Sequence, residues 1–349
     1  MIFYNTLITW YLENKRDLPW RKTTNPYHIW LSEIILQQTR VAQGLPYYQA
    51  FIERFSKVSD LANASQEDVL KLWQGLGYYS RARNLHQTAQ FISFELNNTF
   101  PDNYTDLLRL KGVGTYTAAA IASFAYNEKV AVVDGNVFRV LARIFNIDAD
   151  INAAKTKQTF QALANALLLE GQPCEPALFN QAIMDFGALQ CVPKSPNCAI
   201  CCFNVSCLAF AKNKVTTLPV KLAKIKIKKR YFDYVLVKGA NGNFILNQRK
   251  EADIWNGLYE FNLLESEQNL EITQAETLIL THFTPLPAQT LFCFDANYKV
   301  HKLSHQHLHI RFWLLQTTDF VDGIQKQHLS DFAYPIVLAN FLEKNYDNL

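Results

Sequence analysis

Two carboxylates and four thiols carry the chemistry open to this sequence. Glu33 lies in a helical run with Ile29, Trp30 and Leu36 at i−4, i−3 and i+3. Its carboxyl is expected on a desolvated face, with a pKa raised toward neutrality. That is the condition of a proton donor at neutral pH. Asp134 is its complement. It follows the apolar run Val130-Ala131-Val132-Val133 and opens a helical pattern. An aspartate at a helix N-cap accepts amide hydrogen bonds, which favour the ionised form. An acid and an anion driven in opposite directions suit the two flanks of one reacting bond, as in glycoside cleavage. The competing reading is a core glutamate and an ordinary cap.

Twenty residues before Asp134 lies Gly114, in the turn Gly112-Val113-Gly114. The two glycines let the backbone bend sharply and approach a ligand. Amides pointing outward from the following helix N-terminus form an anion site suited to phosphate. An aspartate near such a grip suggests chemistry on a nucleic acid. The thiols are Cys191, Cys198, Cys201 and Cys207, separated by six, two and five residues after the helical stretch FNQAIMDFGALQ. Four such thiolates suit Zn²⁺ or an iron–sulfur cluster, and spacing alone fits both. Cys202 is expected to face away from the group, and Cys174 and Cys293 to pack.

The elements that must position these residues divide in character. A chain of 349 residues is expected to hold two domains. No apolar run approaches the roughly 18 residues that span a bilayer, and the N-terminus lacks the basic start and cleavage site of a signal peptide. The expected location is the cytoplasm, at the nucleoid in a bacterium, with no membrane partner. The net charge of +3 says little about nucleic acid by itself.

Residues 1–211 read as successive helices ending in the cysteine loop 191–207. Asn25-Pro26, Ser65 to Asp68, Asp102 to Asp106 and Asn152 mark helix starts. Residues 212–229 read as a basic linker; from Lys212 to Arg230 there are seven lysines, one arginine and no acid. Residues 230–349 read as an α+β domain. Tyr231 to Lys238 and Asn243 to Arg249 flank an Asn241-Gly242 turn, further strands are expected at 289–294 and 309–315, and a helix starts near Pro335.

Together these residues resemble the helix–hairpin–helix DNA glycosylases, and within them the MutY adenine DNA glycosylases. The likeness rests on Leu18-Pro19-Trp20-Arg21, Trp30-Leu31-Ser32-Glu33 with Gln37-Gln38-Thr39, and Gly75-Leu76-Gly77-Tyr78-Tyr79. Lys111 to Gly114, Val133 to Val137 and the four cysteines complete it. The resemblance implies a [4Fe–4S] cluster on those cysteines. It implies an enzyme that flips adenine out of double-stranded DNA, from an A·8-oxoguanine or A·G mispair. Glu33 would protonate adenine at N7, and Asp134 would stabilise the oxocarbenium ion and attack the sugar transiently before hydrolysis with retention. Asn136 and Tyr116 would support these carboxyls. Leu18, Trp20 and Arg21 would line the adenine pocket. Gln38, Thr39, Leu76, Gly112, Val113 and Gly114 would meet DNA, with Tyr78 as a wedge in the stack.

Position 116 separates subtypes. Endonuclease III-like members carry a lysine there, whose amine forms a Schiff base and permits strand cleavage. Tyr116 cannot, so the expected enzyme is monofunctional. Phe138 stands where some members carry a lysine, so no auxiliary adduct is expected there. The C-terminal part resembles the Nudix-like domain of these glycosylases through Trp255 to Phe261, without the acidic Mg²⁺-binding box. Leu303-Ser304-His305 stands where the family reads 8-oxoguanine with Phe-Ser-His. His305, His307 and His309 alternate along a strand; solvated histidines are preferred to a zinc site there. Lys224, Lys226, Lys228 and Lys229 would lie along phosphates and make binding salt-dependent. The alternatives are an endonuclease III-like glycosylase/lyase for oxidised pyrimidines and a non-catalytic iron–sulfur DNA-binding protein. A monomer is expected.

Overall fold

Helix follows helix through the first two hundred residues of the computed structural model, which describes residues 2–222, 227–284, 286–287 and 290–349. The helices are α1 (Ile2–Asn14), α2 (Pro26–Leu36), α3 (Val41–Arg54), α4 (Val58–Asn63), α5 (Gln66–Leu72) and α6 (Ser80–Gln90). They continue as α7 (Tyr104–Leu107), α8 (Thr115–Tyr126), α9 (Gly135–Ile144), α10 (Ala154–Leu169), α11 (Pro176–Asp185) and α12 (Leu208–Ala211). Two compact units result: Met1–Asn63 with Asn84–Ala223, and Ala64–Arg83 with Lys224–Leu349. No helix among the described residues is long and apolar enough to cross a membrane.

In the first unit the caps follow local chemistry. Asn25 accepts a hydrogen bond from the Tyr27 amide at 2.9 Å, with Pro26 at the first helical position. The start expected at Asp102 to Asp106 is capped by Asn103, which accepts from the Asp106 amide at 2.9 Å. Ala153 precedes α10 with no side-chain cap, so Asn152 does not serve there. The core joins Leu7, Val140, Leu141, Phe160, Phe179 and Phe186. Helix α2 is buried almost all round, and Glu33 is its one acidic residue.

The second unit is built on β1 (Lys228–Lys238), β2 (Asn243–Phe244), β3 (Asn247–Gln248), β4 (Tyr259–Glu260) and β5 (Asn262–Ser266). Then come α13 (Ile272–His282), β6 (Thr290–Cys293), β7 (Lys299–Lys302), β8 (Gln306–Gln316), β9 (Ile324–Gln325) and α14 (Ile336–Asn345). The main sheet runs β6-β8-β1-β2-β9, with β5 also paired to β1 and β7 to β8. Strands β1 and β8 are parallel, Lys228 opposite Gln306 through Lys238 opposite Gln316.

The alternation expected over Tyr231 to Lys238 is not what burial shows, because both faces of the sheet are covered. Val235 and Val237 pack with Ala275 and Ile279 of α13. On the other face Tyr234 stacks on Phe312, and Phe312 on Phe341 of α14. The Asn241-Gly242 turn forms, with Gly242 at φ 75°. Its returning strand leaves early, pairing Phe244 with Lys238 before Asn247–Gln248 joins β4 instead. Of the segments expected from sequence, Gln289, Lys224 and Lys226 lie outside the described residues.

Residues 64–83 are held within this unit by specific bonds. Ser65 caps α5, accepting from the Asp68 amide at 3.0 Å. Lys71 Nζ donates to Phe332 O at 2.9 Å, Tyr79 Oη to Tyr334 O at 3.2 Å, and Arg83 Nη1 to Asn256 O at 2.7 Å. Gly257, at φ 83°, lets this approach happen; a Cβ there would meet Leu70 at 3.3 Å.

Candidate active site

A cleft of about 880 Å³ in the first unit is lined by Leu18, Trp20, Arg21, Glu33, Tyr116 and Asp134, with Gln38, Thr39, Gly114 and Asn136 also on its wall. Residues from five separate stretches therefore meet at one place. A larger cavity of about 1220 Å³, walled by Tyr27, Phe91, Phe100 and Arg109, contains neither Glu33 nor Asp134. Volume is a poorer guide here than convergent titratable groups.

Glu33 reaches the cleft from the buried face of α2 and is 4% exposed. Burial pushes its carboxyl up to about 7, with a hydrogen bond from Tyr116 opposing the rise, the Asp134 carboxylate adding to it and Arg21 opposing it. A group poised there holds a proton on a substantial fraction of molecules at neutral pH. The Tyr116 hydroxyl also lies 3.7 Å from Met184 Sδ. Burial, then the charges of Glu33 and Asp134, hold that phenol far above its ordinary range, so it stays protonated and can donate to Glu33.

Arg21 is fixed by a residue that sequence reasoning passed over. Asp185, at the end of α11, accepts from Arg21 Nη1 at 2.7 Å and Nη2 at 2.8 Å, and from Arg16 Nε at 2.8 Å. Burial alone would raise the Asp185 carboxyl; the bonds from Arg21 and Arg16 outweigh it and hold the group below the ordinary range. The available signal was a lone acid among Ile183, Met184 and Phe186.

Asp134 is the N-cap of α9. Its Oδ1 accepts from the amides of Asn136 and Val137 at 2.9 and 2.8 Å, and its Oδ2 from Asn136 Nδ2 at 2.8 Å. The Asn136 side chain is held from behind: Arg139 Nη2 donates to its Oδ1 at 2.9 Å and to Gly187 O at 2.6 Å, and Arg139 Nε donates to Cys191 O at 2.8 Å. Gly187 has to be glycine for this packing, since a Cβ would stand 2.8 Å from that of Asn136.

The hairpin glycines differ in kind. Gly112 has φ 79°, and a Cβ there would meet Asn84 at 2.9 Å, whereas Gly114 is in extended backbone beside open space. Val113 between them is buried. Gly114 caps α8 without a side-chain partner, leaving the first amides of that helix facing outward from a turn with no side chain in the way. Gln37 caps the end of α2 and its Nε2 ties that end to Thr117 of α8 at 3.2 Å, and Gln38 follows at φ 56°.

Cys191, Cys198, Cys201 and Cys207 line one small cavity with Ile144, Phe186 and Phe203. Arg143 of α9 secures its rim, donating to Val192 O at 2.8 Å and Pro193 O at 3.0 Å and lying 3.5 Å from Cys191 Sγ. Among the described residues no three or more His, Cys, Asp or Glu side chains are grouped closely enough for a metal ion. That holds for the alternating histidines too; His309 stacks on Tyr231 at 4.6 Å.

In the second unit, Tyr78 has φ 48° and is 45% exposed, with the Arg81 guanidinium 5.7 Å from its ring; Leu76 is buried. Leu303-Ser304-His305 forms the turn between β7 and β8. Its Leu303 amide donates to Gln306 O at 2.8 Å, and Ser304 and His305 are exposed.

Residues 31–166 match the model of the HhH-GPD superfamily of base excision DNA repair proteins, and residues 233–344 that of the NUDIX domain. The chain is 33% identical to an adenine DNA glycosylase of Buchnera aphidicola subsp. Acyrthosiphon pisum (strain APS), covering 94% of this chain and 90% of the relative. It is 42% identical to the adenine DNA glycosylase of Homo sapiens over 59% of this chain and 39% of that one. Among solved structures, a thermostable thymine-DNA glycosylase superposes with a TM-score of 0.56 at 30% identity, covering 60% of this chain and 96% of that chain.

Proposed function

Because this chain belongs to the adenine DNA glycosylases, within the HhH-GPD superfamily of base excision DNA repair proteins, we propose that it removes adenine mispaired with 8-oxoguanine or guanine from duplex DNA and leaves the strand uncut. The observation that carries the mechanism is the pairing of two carboxyls in one cleft, Glu33 pushed up to about 7 by burial and Asp134 cradled by two amides and an amide side chain. With adenine flipped into the cleft, protonated Glu33 donates to N7, making the base a neutral leaving group. Charge then develops on the sugar, and the Asp134 carboxylate stabilises that oxocarbenium ion and can capture it transiently. Water completes the hydrolysis, and Glu33 is reprotonated for the next turnover.

Tyr116 supports the monofunctional reading. A phenol held far above its ordinary pKa has neither the amine nor the ionised oxygen to trap the sugar. The outward amides beside Gly114 suit a phosphate of the bound strand. For the opposite base, Ser304 stands at an exposed turn where its hydroxyl can meet the N7 proton that distinguishes 8-oxoguanine from guanine. Leu303 supplies an apolar contact without an aromatic face.

The four cysteines would hold a [4Fe–4S] cluster. The four thiols line one cavity, which supports a single shared group there, and membership of the adenine DNA glycosylases favours the cluster over a zinc ion. Such a cluster would cross-link the loop 191–207 to itself, while Arg139 and Arg143 of α9 bond the start of that loop.

Single-turnover release of adenine from an A·8-oxoguanine duplex tests the reading. Glu33→Gln and Asp134→Asn should each lose at least about 10²-fold, and borohydride should trap no wild-type adduct. Full activity in both variants would sink the mechanism.

A further inference from the structure

The sheet of the second unit ends in two exposed lysines about a histidine, a row that the catalytic reading leaves unused. Strands β7, β8 and β1 lie side by side, with Lys302 opposite His307 and His307 opposite Lys229. Opposed residues share one face of a sheet. Two lysines therefore flank an imidazole on three adjacent strands, the outer Cα atoms about 10 Å apart at the usual strand spacing. Both lysines are exposed and His307 is half-buried.

No acid among the described residues pairs with either lysine. Four carboxylates of the neighbouring strands and loops pair with other cations: Asp253 and Glu265 with Arg230, Asp295 with Lys299, Asp233 with Arg311. The two lysines flank one strand with no acid between them, so an anion bound there would relieve their mutual repulsion. Helix α13 does not cover it; that helix packs the same face further along, at Val235 and Trp313. Between the two, Tyr231 and His309 stack. The open end of the face is thus an aromatic step followed by a line of positive charge.

The row is built as one piece with the turn that presents Ser304. Lys302 and His307 flank that turn, and the Lys228 amide donates to His305 O at 3.0 Å. We infer that Lys229, His307 and Lys302 form a phosphate site for the DNA backbone, gripping the strand whose base meets the Ser304 turn. The inference rests on the role proposed above for that turn. Lysines act as point charges on phosphate, so the row contributes affinity and register, while Ser304 carries the discrimination.

The test uses full-length protein and a duplex whose target adenosine carries a 2′-fluorine to block cleavage. Methylphosphonates remove one phosphate charge at a time along the strand opposite adenine. At one position near the opposite base, wild type should lose about five- to tenfold in affinity. Lys229→Gln/Lys302→Gln should already be weaker by about that factor, lose no more there, and show a salt slope shallower by about 1. Its melting temperature should equal or exceed that of wild type. An unchanged slope with no such position overturns the phosphate site, and so does a lowered melting temperature with full additivity. Ser304→Ala is the separate control. If it leaves selectivity for 8-oxoguanine over guanine intact while the lysine variant still couples to one phosphate, the reading of the turn falls and the phosphate site stands.

Discussion

Asp185 grips Arg21 through two parallel hydrogen bonds, Nη1 to Oδ2 at 2.7 Å and Nη2 to Oδ1 at 2.8 Å. The same carboxylate holds Arg16 from the other side of Leu18 and Trp20. One buried acid at the end of α11 therefore fixes a stretch of cleft wall more than 160 residues away in sequence. It also sets the cation whose charge acts on Glu33.

Asp185→Asn leaves two guanidiniums facing a neutral amide in a buried site. The expected loss is about 3–5 kcal/mol of stability, read by urea unfolding at pH 7. Because its partners hold the Asp185 carboxyl low, that stability is present above the ordinary aspartate pKa and disappears as pH falls through the depressed value. The gap between the two proteins should therefore close in acid. A gap independent of pH would assign the loss to packing.

Glu33 behaves in the opposite sense. Its folded-state pKa of about 7 lies above the ordinary 4.5. Stability is full below 4.5 and falls as pH rises through about 7, where the buried carboxyl must ionise. Glu33→Gln should be the more stable protein at pH 8.5, by up to about 3 kcal/mol, and match wild type near pH 4. Adenine release by wild type should fall along a limb centred near pH 7. A rate flat from pH 6 to 9 argues against Glu33 as the acid.

Arg139 joins the Asp134 cap of α9 to the cysteine loop, since it bonds Asn136, Gly187 and Cys191 O together. Arg139→Met should leave three acceptors short of a donor, costing about 1–3 kcal/mol each. Excision should slow with little change in DNA affinity, and iron content should drop. Normal iron and a normal rate would show that the bonds are incidental.

Tyr79 carries the aromatic turn of the second unit, its hydroxyl reaching Tyr334 O at 3.2 Å and accepting from the Gly75 amide at 3.3 Å. Tyr79→Phe loses both bonds. Hydrogen exchange over residues 75–79 should accelerate at least about tenfold, equivalent to 1.4 kcal/mol, while α9 exchanges as before. Equal exchange in both proteins would show that the turn is held by other contacts.

Much of the candidate site was legible because its signals are local. An acid inside an apolar helical run, an aspartate after an apolar run, and a glycine-hinged turn each state their environment within a few residues. What escaped was whatever depends on residues distant in sequence. Asp185 offers no motif, and Arg139 and Arg143 read as ordinary charges on a helix until the cysteine loop folds over them. The sheet misled for a related reason: helices on both faces turn an expected alternation into continuous burial.

The chain by itself determined which reactive groups are present and their local settings. Helix position gives Glu33 its buried face and Asp134 its N-cap, Tyr116 excludes an amine by identity, and four cysteines declare a shared site by spacing. Tertiary structure decided what those groups meet. It set Asp185 behind Arg21 and Arg139 behind Asn136, carried residues 64–83 into the second unit, and aligned Lys229, His307 and Lys302 on three strands. Such pairings depend on strand register and helix packing, which sum over many weak contacts, whereas a cap or a desolvated face is decided within one or two turns of chain.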